Sequence, residues 1–297
     1  MGHPVARDAD AVAAPRLHGI DVLCWNVAIG LGRLELLLQR LWAGAFGGAP
    51  RAPERPLVIL LQEAYRHDPS VPEQPGSFHH GGRLAARQRS DVVELATRCG
   101  LSLRYAPSMR NGTHASDRGN AILATVRLHD AHAFLLPYVR QRRVVVSAQL
   151  AGHPDLTFVS AHVDTHGRVR AAPSPVRFAV GRVAQARALA DVVARLPGSV
   201  VLGADLNTLL GATDPALRTL LDAGLRRAER TGTWRHTFHA QVKLLLDHVL
   251  YRSADQTIVR VGVVRLDETP DDRSRGVFGS DHHPLFARLE LRAAPAI

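Results

Sequence analysis

Apolar, β-branched runs recur along the chain and alternate with polar, glycine-rich and helix-like segments. Some of them, such as Leu57–Leu61, contain no polar position, which is typical of strands covered on both faces. The runs that predict strands are Ile20–Val27, Leu57–Gln62, Ala121–Thr125, Val144–Leu150, Leu156–His162, Val200–Leu202, Leu244–Tyr251, Ile258–Val264 and Pro284–Leu291.

Helical periodicity appears between these runs. In Leu31–Trp42 the leucines at positions 34, 37, 38 and 41 form one apolar stripe. The same spacing predicts helices over Arg83–Cys99, Phe178–Leu196 and Asp214–Ala223, with Asp214 as an N-cap. Strands that alternate with helices predict an α/β fold.

The organisation of the chain predicts one large domain. We find no internal repeat and no long linker, and strands from both ends of the chain carry related polar residues. We therefore expect a single domain over residues 19–297, preceded by a flexible N-terminal tail over residues 1–18. Loops are expected at Gly44–Arg55, His67–Gly82, Ser108–Asp117, Gly167–Pro175 and Leu266–Gly279.

Oxygen-bearing side chains stand where the apolar runs end. Asp205 and Asn207 follow a buried run and lie two positions apart, hence on one face of the chain. Glu63 and Asn26 end two other runs in the same way. Burying an unpaired carboxylate is costly, and Mg²⁺ prefers oxygen ligands, so these residues are metal candidates. Taken singly, each also fits a turn or a helix cap.

Histidines next to carboxylates are candidates for proton transfer. An aspartate that faces an imidazole fixes its tautomer, and we expect Asp247 to pair with His282 in this way. His162 ends another run and offers a second proton carrier or a phosphate clamp. The chain has sixteen histidines, and most need no special role. We interpret His79, His80, His236 and His239 as surface residues, and His248 and His283 as packing groups.

Composition adds an electrostatic expectation. The net charge is +10, and every basic residue except Lys243 is arginine, which suits bidentate phosphate contacts. A GC-rich coding bias explains the same arginines equally well. The two cysteines, Cys24 and Cys99, are expected to be buried thiols. We see neither a membrane-spanning run nor the apolar core of a signal peptide, so we expect a cytoplasmic monomer.

The motifs together resemble the endonuclease/exonuclease/phosphatase superfamily, which includes deoxyribonuclease I-like enzymes, neutral sphingomyelinases and inositol-polyphosphate 5-phosphatases. The resemblance covers about residues 20 to 291 and implies a four-layer α/β/β/α sandwich with two face-to-face mixed β-sheets. The residues that carry it are Trp25-Asn26, Gln62-Glu63, Gly119–Leu123, Ser160–His162, Gly203–Asn207, Asp247-His248 and Ser280–Pro284.

The resemblance also implies roles for individual residues. Glu63 would hold a catalytic Mg²⁺, for which Mn²⁺ could substitute, with Asn26 beside it and Asp281 at the metal side. The other implied roles concern the phosphate. Asp205 and Asn207 would position the attacking water and the phosphate, His282 oriented by Asp247 would transfer a proton, His162 would stabilise the pentacovalent phosphorus, and Asn120 and Arg143 would bind the substrate phosphate.

Two departures from the superfamily pattern bear on these expectations. Leu206 replaces the usual phenylalanine of the Gly-Asp-Phe-Asn motif, and Ala204 follows Gly203. Deoxyribonuclease-like members pair their first histidine with an extra glutamate, but Asp117-Arg118 precede Gly119 here, so that pair is in doubt.

The expected function is Mg²⁺-dependent hydrolysis of a phosphodiester in an anionic substrate, with nucleic acid first among the substrates. The alternatives are a phospholipid, sphingomyelin or inositol-phosphate esterase, and a non-catalytic binding module on the same fold. A lipid substrate would require an exposed apolar segment, for which Phe134–Tyr138 is the candidate, although a core strand is the simpler interpretation.

Overall fold

The computed structural model describes residues 19–46, 55–68, 70–71, 88–112, 114–165, 175–240, 242–269 and 277–292. The expected N-terminal tail therefore lies outside the described residues. The strands are β1 (Gly19–Asn26), β2 (Leu57–Arg66), β3 (Ser102–Arg110), β4 (Asp117–Ala124), β5 (Leu128–Leu135), β6 (Val144–Leu150), β7 (His153–His162), β8 (Ser199–Asp205), β9 (Arg226–Arg227), β10 (Glu229–Arg230), β11 (Phe238–His239), β12 (Lys243–Leu244), β13 (Asp247–Arg252), β14 (Ile258–Arg265) and β15 (Leu285–Leu291).

The helices are α1 (Leu34–Trp42), α2 (Val92–Arg98), α3 (Pro175–Arg195) and α4 (Pro215–Asp222), and a 3₁₀ turn covers Gly211–Thr213. Asp91 caps α2 by accepting from the backbone N–H groups of Val93 and Glu94, at 2.8 and 3.2 Å. Asp214 caps α4 through the N–H of Ala216 at 3.0 Å. None of the helices in the described ranges is both long and apolar enough to cross a bilayer.

The strands form two large sheets. The first has the order β10-β14-β15-β1-β2-β4-β3, and the second has the order β5-β6-β7-β8-β13-β9. Both are mixed: β1 runs parallel to β2 and β7 parallel to β8, whereas the outer pairs are mainly antiparallel. Strands β11 and β12 form a separate two-stranded ribbon.

Side-chain alternation explains how four layers form. In β1 and β2, alternate residues such as Val22, Cys24 and Leu60 belong to the core between the sheets. The intervening residues, such as Leu23 and Ile59, pack against α1 and α2. The second sheet behaves likewise, with its outer face packed on α3 and α4. Because both faces of the central strands are covered, these strands are largely apolar, and the predicted four-layer sandwich is confirmed.

Several element boundaries differ from the predicted ones. Strands β3 and β5 lack a continuous apolar run, and β3 includes residues assigned to a loop from Ser108 onward. The run Leu244–Tyr251 is broken between β12 and β13. Helix α2 begins only after Asp91, so the described part of the predicted helix Arg83–Cys99 is shorter than expected. Both cysteines are free thiols; Cys24 is buried and Cys99 is partly exposed.

Candidate active site

Four strand ends and one loop bring the candidate residues to one edge of the sandwich. In the first sheet Asn26, at the end of β1, lies beside Gln62 within the parallel strand β2. In the second sheet Asp205 lies between His162 of β7 and Asp247 of β13. The loop that precedes β15 brings Asp281 and His282 to the same edge. The strand registers therefore fix which of these residues are neighbours.

The carboxylate of Asp205 is the centre of this arrangement. Its Oδ2 accepts from Asn26 Nδ2 at 2.8 Å and lies 3.4 Å from His162 Nε2 and 3.8 Å from His282 Nε2. Its Oδ1 accepts from the backbone N–H of Asn207 at 3.0 Å. Burial raises the pKa of Asp205 to about 7, and the nearby charge of Asp247 adds to this rise. Asp205 is thus a carboxylate able to accept a proton near neutral pH.

His282 and Asp247 form the pair expected from the sequence. His282 Nδ1 lies 2.8 Å from Asp247 Oδ2, and both side chains are buried. Burial alone would lower the pKa of His282, but the carboxylate of Asp247 outweighs it and raises the pKa to about 10. The imidazole is therefore held as a cation, and its Nε2–H points toward Asp205.

His162 has an arginine where a carboxylate would be expected. Arg143 Nη1 donates to His162 Nδ1 at 3.0 Å, so the ring proton of the neutral imidazole lies on Nε2, facing Asp205. Burial, with Arg143 as the next contribution, keeps the pKa of His162 well below its usual value. Asn207 Nδ2 lies 3.2 Å from the same Nε2 and donates to the Val163 carbonyl at 3.0 Å. His162 is a neutral hydrogen-bond donor.

Glu63 lies in a β-bulge that turns its side chain out of the sheet. The register between β2 and β4 shifts between Leu61 and Ala64, and Glu63 has a φ of 54°, which is uncommon for a residue other than glycine. Such strain is often retained at functional sites, where the surrounding strands hold it. Among the described residues, Glu63 has no ion-pair partner.

The donor chemistry around Glu63 suits a hard divalent cation. Partial burial raises the pKa of Asp281; His282 opposes this rise, and the charge of Glu63 adds to it. Within the part of the chain that the structure describes, Asn26 Oδ1 accepts one hydrogen bond, from the backbone N–H of Ala28 at 3.0 Å, which leaves a lone pair for a cation. Two carboxylates and an amide oxygen are ligands that Mg²⁺ prefers.

A small pocket lies between Glu63 and the two arginines Arg118 and Arg143. Arg143 is buried within it, and the Nε–H of Arg118 has no hydrogen-bond partner among the described residues. The predicted phosphate ligand Asn120 also lines the pocket, but its Nδ2 donates to the carbonyls of Val144 and Ser160 at 2.7 and 3.4 Å. The pocket is lined by Glu63, Ser108, Met109, Arg118, Gly119, Asn120, Arg143 and His162.

Other residues position these groups; Trp25 and Ser280 belong to the motifs noted in the sequence, whereas Thr237 and Phe238 do not. Thr237 Oγ1 accepts from the backbone N–H groups of Leu246 and Asp247, both at 3.0 Å, which fixes the start of β13. The Phe238 ring packs edge-on against His282 with the centroids 5.0 Å apart. Trp25 Nε1 donates to the His282 carbonyl at 2.7 Å, and Ser280 Oγ donates to the Asn26 carbonyl at 2.7 Å. The loop before β15 is thereby tied to β1.

With this geometry in place, comparison with known proteins defines the class. A model of the Endonuclease/Exonuclease/phosphatase family matches residues 23–282, and the chain belongs to that family. Members of the family are hydrolases that act on phosphate esters and generally use divalent metal ions. A search of curated proteins finds no match.

Solved structures support the same fold at low sequence identity. An endonuclease/exonuclease/phosphatase family protein from Leptotrichia buccalis is 13% identical, with a TM-score of 0.57 over 92% of this chain and 100% of its own. The human Nocturnin catalytic domain with bound sulfate is 16% identical, with a TM-score of 0.56 over 92% and 95%. Sphingomyelinase C from Streptomyces griseocarneus is 16% identical, with a TM-score of 0.56 over 91% and 99%.

Proposed function

We propose that this protein is a metal-dependent phosphodiesterase that acts on nucleic acid. The observation that carries the proposal is the convergence of Glu63, Asp205, His162 and His282 on one cleft, with Asp205 in contact with both histidines. Glu63, Asn26 and Asp281 would hold a divalent cation, Mg²⁺ or Mn²⁺. When bound, that cation would polarise the phosphoryl oxygens and stabilise the charge that develops on them.

The side chains divide the remaining chemistry among them. Asp205, with a pKa of about 7, accepts the proton of the attacking water. The backbone N–H of Asn207 donates to Asp205 Oδ1 and so orients this carboxylate. His282 is held positive by Asp247 and donates its Nε2–H to the phosphate. His162 donates its own Nε2–H while remaining neutral. These donors are fixed before substrate binds, so they stabilise the transition state without reorganisation.

Hydrolysis is tested by activity against a generic phosphodiester with and without EDTA. We expect Glu63→Gln and His282→Ala to lower kcat by at least about 10²-fold, because each removes a group that acts on the developing charge. The matched controls are Glu94→Gln and His132→Ala, since both residues are exposed and lie on α2 and β5. Unchanged turnover in EDTA, or in either site variant, would contradict the proposed mechanism.

Nucleic acid is the favoured substrate because the cleft is lined with guanidinium groups. Arg118 and Arg143 line the pocket beside Glu63, and Arg110 follows at the end of β3 with its Nε–H unpaired within the described residues. Guanidinium groups bind phosphate oxygens in a bidentate manner, and successive phosphates along a strand would engage several of them.

A lipid phosphodiester is the second candidate, and exposed apolar residues favour it. Leu209 and Leu210 lie two and three residues after Asn207 and are 39% and 57% exposed. Leu135 and Tyr138, in the segment considered for membrane contact, are 63% and 58% exposed. Parallel assays on duplex DNA, single-stranded DNA, RNA and sphingomyelin vesicles with Mg²⁺ would separate the two. Turnover of vesicles alone would refute the nuclease assignment while leaving the phosphodiesterase mechanism intact.

A further inference from the structure

Three histidines form a second cluster next to the loop that precedes β15. This loop carries Asp281 and His282, and we call it the catalytic loop. His239 of β11 and His283 are buried, and His236 is half-buried. One ring nitrogen from each of the three lies within 4.8 Å of the other two. None of them takes part in the chemistry proposed for the cleft.

The spacing of the nitrogens matches a tetrahedral metal site. His239 Nδ1 and His283 Nε2 are 3.2 Å apart, and the two rings are nearly parallel, at 8°. Zn–N bonds of about 2.0–2.1 Å in tetrahedral geometry place two ligand nitrogens about 3.3 Å apart. The His236 ring centroid lies 5.4 Å from that of His283 and 5.7 Å from that of His239, and its ring stands nearly perpendicular to both.

A carboxylate prepares His283 as a ligand. Asp267 Oδ1 lies 2.7 Å from His283 Nδ1, within ion-pair distance but not aligned as a hydrogen bond; a small turn of the His283 ring would let Nδ1 donate to this oxygen and leave the Nε2 lone pair facing His239. A carboxylate that accepts from the far side of a ligating histidine is the usual second partner of a metal-bound imidazole.

An arginine supplies the positive charge at this cluster. Arg265 Nη1 lies 3.0 Å from His236 Nε2, and Arg265 Nη2 forms an ion pair with Asp267 at 2.9 Å. A bound cation would need the nitrogen lone pair that faces this guanidinium. Arg265 therefore competes with a metal, and its removal should favour binding.

We propose that His236, His239 and His283 form a binding site for a transition metal of the Zn²⁺ type, which fastens the catalytic loop to the strand β11. The two segments already pair through their backbones: the N–H of His239 donates to the Asp281 carbonyl at 2.7 Å, and the N–H of His283 donates to the Thr237 carbonyl at 2.6 Å. A cation held by both would fix Asp281 and His282 between its ligands. Imidazole nitrogens suit Zn²⁺, whereas Mg²⁺ prefers the oxygen ligands around Glu63.

The test is a calorimetric titration of metal-free, full-length protein with Zn²⁺ in excess Mg²⁺, which occupies oxygen sites. We expect one high-affinity Zn²⁺ per chain that persists in Glu63→Gln, so the result does not depend on the proposed phosphodiesterase activity. His236→Ala and His239→Ala should weaken Zn²⁺ binding by at least tenfold, and Asp267→Asn by about 10- to 100-fold. Arg265→Gln should tighten it severalfold.

The controls keep the outcome decisive. His132→Ala removes an exposed histidine and should leave Zn²⁺ binding unchanged. His236 is the least buried of the three, so its variant should fold even if His239→Ala does not; circular dichroism checks this. Absence of stoichiometric binding to the wild-type protein, or equal affinity in His236→Ala and wild type, would show a hydrogen-bonded histidine cluster only and overturn the proposal.

Discussion

Single residues at this site acquire their properties from their immediate partners. His162 and His282 are both buried imidazoles near Asp205, yet Arg143 keeps one neutral and Asp247 keeps the other positive. The two rings therefore offer a neutral and a cationic donor to the same region. Both imidazoles could donate a hydrogen bond to a phosphodiester as its negative charge grows during attack, and no proton would have to move between them.

His248 should make the stability of the protein depend on pH. Burial lowers its pKa to about 4 despite the opposing charge of Asp247, and its Nε2 bonds Thr208 Oγ1 at 2.8 Å. In the unfolded chain a histidine titrates near 6.5, so below that pH the unfolded state binds the extra proton first. The free energy of unfolding should fall by about 3 kcal/mol between pH 6.5 and 4 from this residue.

Urea unfolding at several pH values checks this. In His248→Gln the fall in stability over that window should be smaller than in the wild type, and other buried histidines should account for what remains. His132→Gln, on the exposed face of β5, serves as the matched control and should retain the wild-type slope. If His248→Gln shows the full wild-type slope, His248 is not the group that binds the proton.

Which residues interact could be predicted only where the chemistry of the two side chains indicates a partnership. The Asp247–His282 pair was predicted, because a carboxylate and an imidazole at strand ends form a familiar combination. The contact between Arg143 and His162 was not, since residues on neighbouring strands meet only once the register is known. His239 and His283 were interpreted as surface and packing groups, because a two-residue strand leaves no pattern in the sequence.

At the element scale, the close approach of the two sheets depends on Gly203 in β8. A Cβ at this position would lie 2.7 Å from Leu60 Cδ1 and 2.9 Å from Cys24 Sγ, both in the opposite sheet. Gly203→Ala should therefore lower the free energy of unfolding by about 1–3 kcal/mol, as overpacking of a dense core does. Urea denaturation measures the effect.

Gly262 provides the matched control, because it is also a strand glycine and a Cβ there would meet only Thr231 Oγ1 at 4.0 Å. Gly262→Ala should change stability little. Adding Cys24→Ala to Gly203→Ala should recover part of the loss, since it removes the sulfur that the new methyl group contacts. Equal effects of the two glycine substitutions would show that packing between the sheets is not the cause.

Element types were largely predictable and their ends were not. The strands covered on both faces, such as β2 and β8, carry apolar runs that length and composition identify as strands. Strands β3 and β5 lie at the edges of their sheets, and their partly exposed residues carry no such run. The bulge at Glu63 is also invisible in the sequence, because it depends on how β2 pairs with β4.

At the scale of the whole molecule, the net charge of +10 has two explanations: arginines that bind the substrate phosphates, or a GC-rich coding bias. If the arginines bind the substrate, those in the cleft should matter more than those far from it; under a coding bias, position should make no difference. Arg118 lines the pocket beside Glu63, whereas Arg195 is exposed at the end of α3, near the start of β8 and hence at the opposite edge from Asp205. Each substitution to glutamine removes the same charge, so any difference between the two variants reports position.

Salt dependence of duplex DNA binding by the inactive His282→Ala protein measures that difference. Each phosphate contact contributes about 0.9 to the slope of log affinity against log salt concentration, because neutralising a phosphate releases its condensed counterions. Arg118→Gln in this background should lower the slope by about 0.9, whereas Arg195→Gln should leave it near the parent value. Equal slopes in both variants would mean that the positive charge acts only as a diffuse field, and the assignment of the cleft to nucleic acid would lose its electrostatic basis.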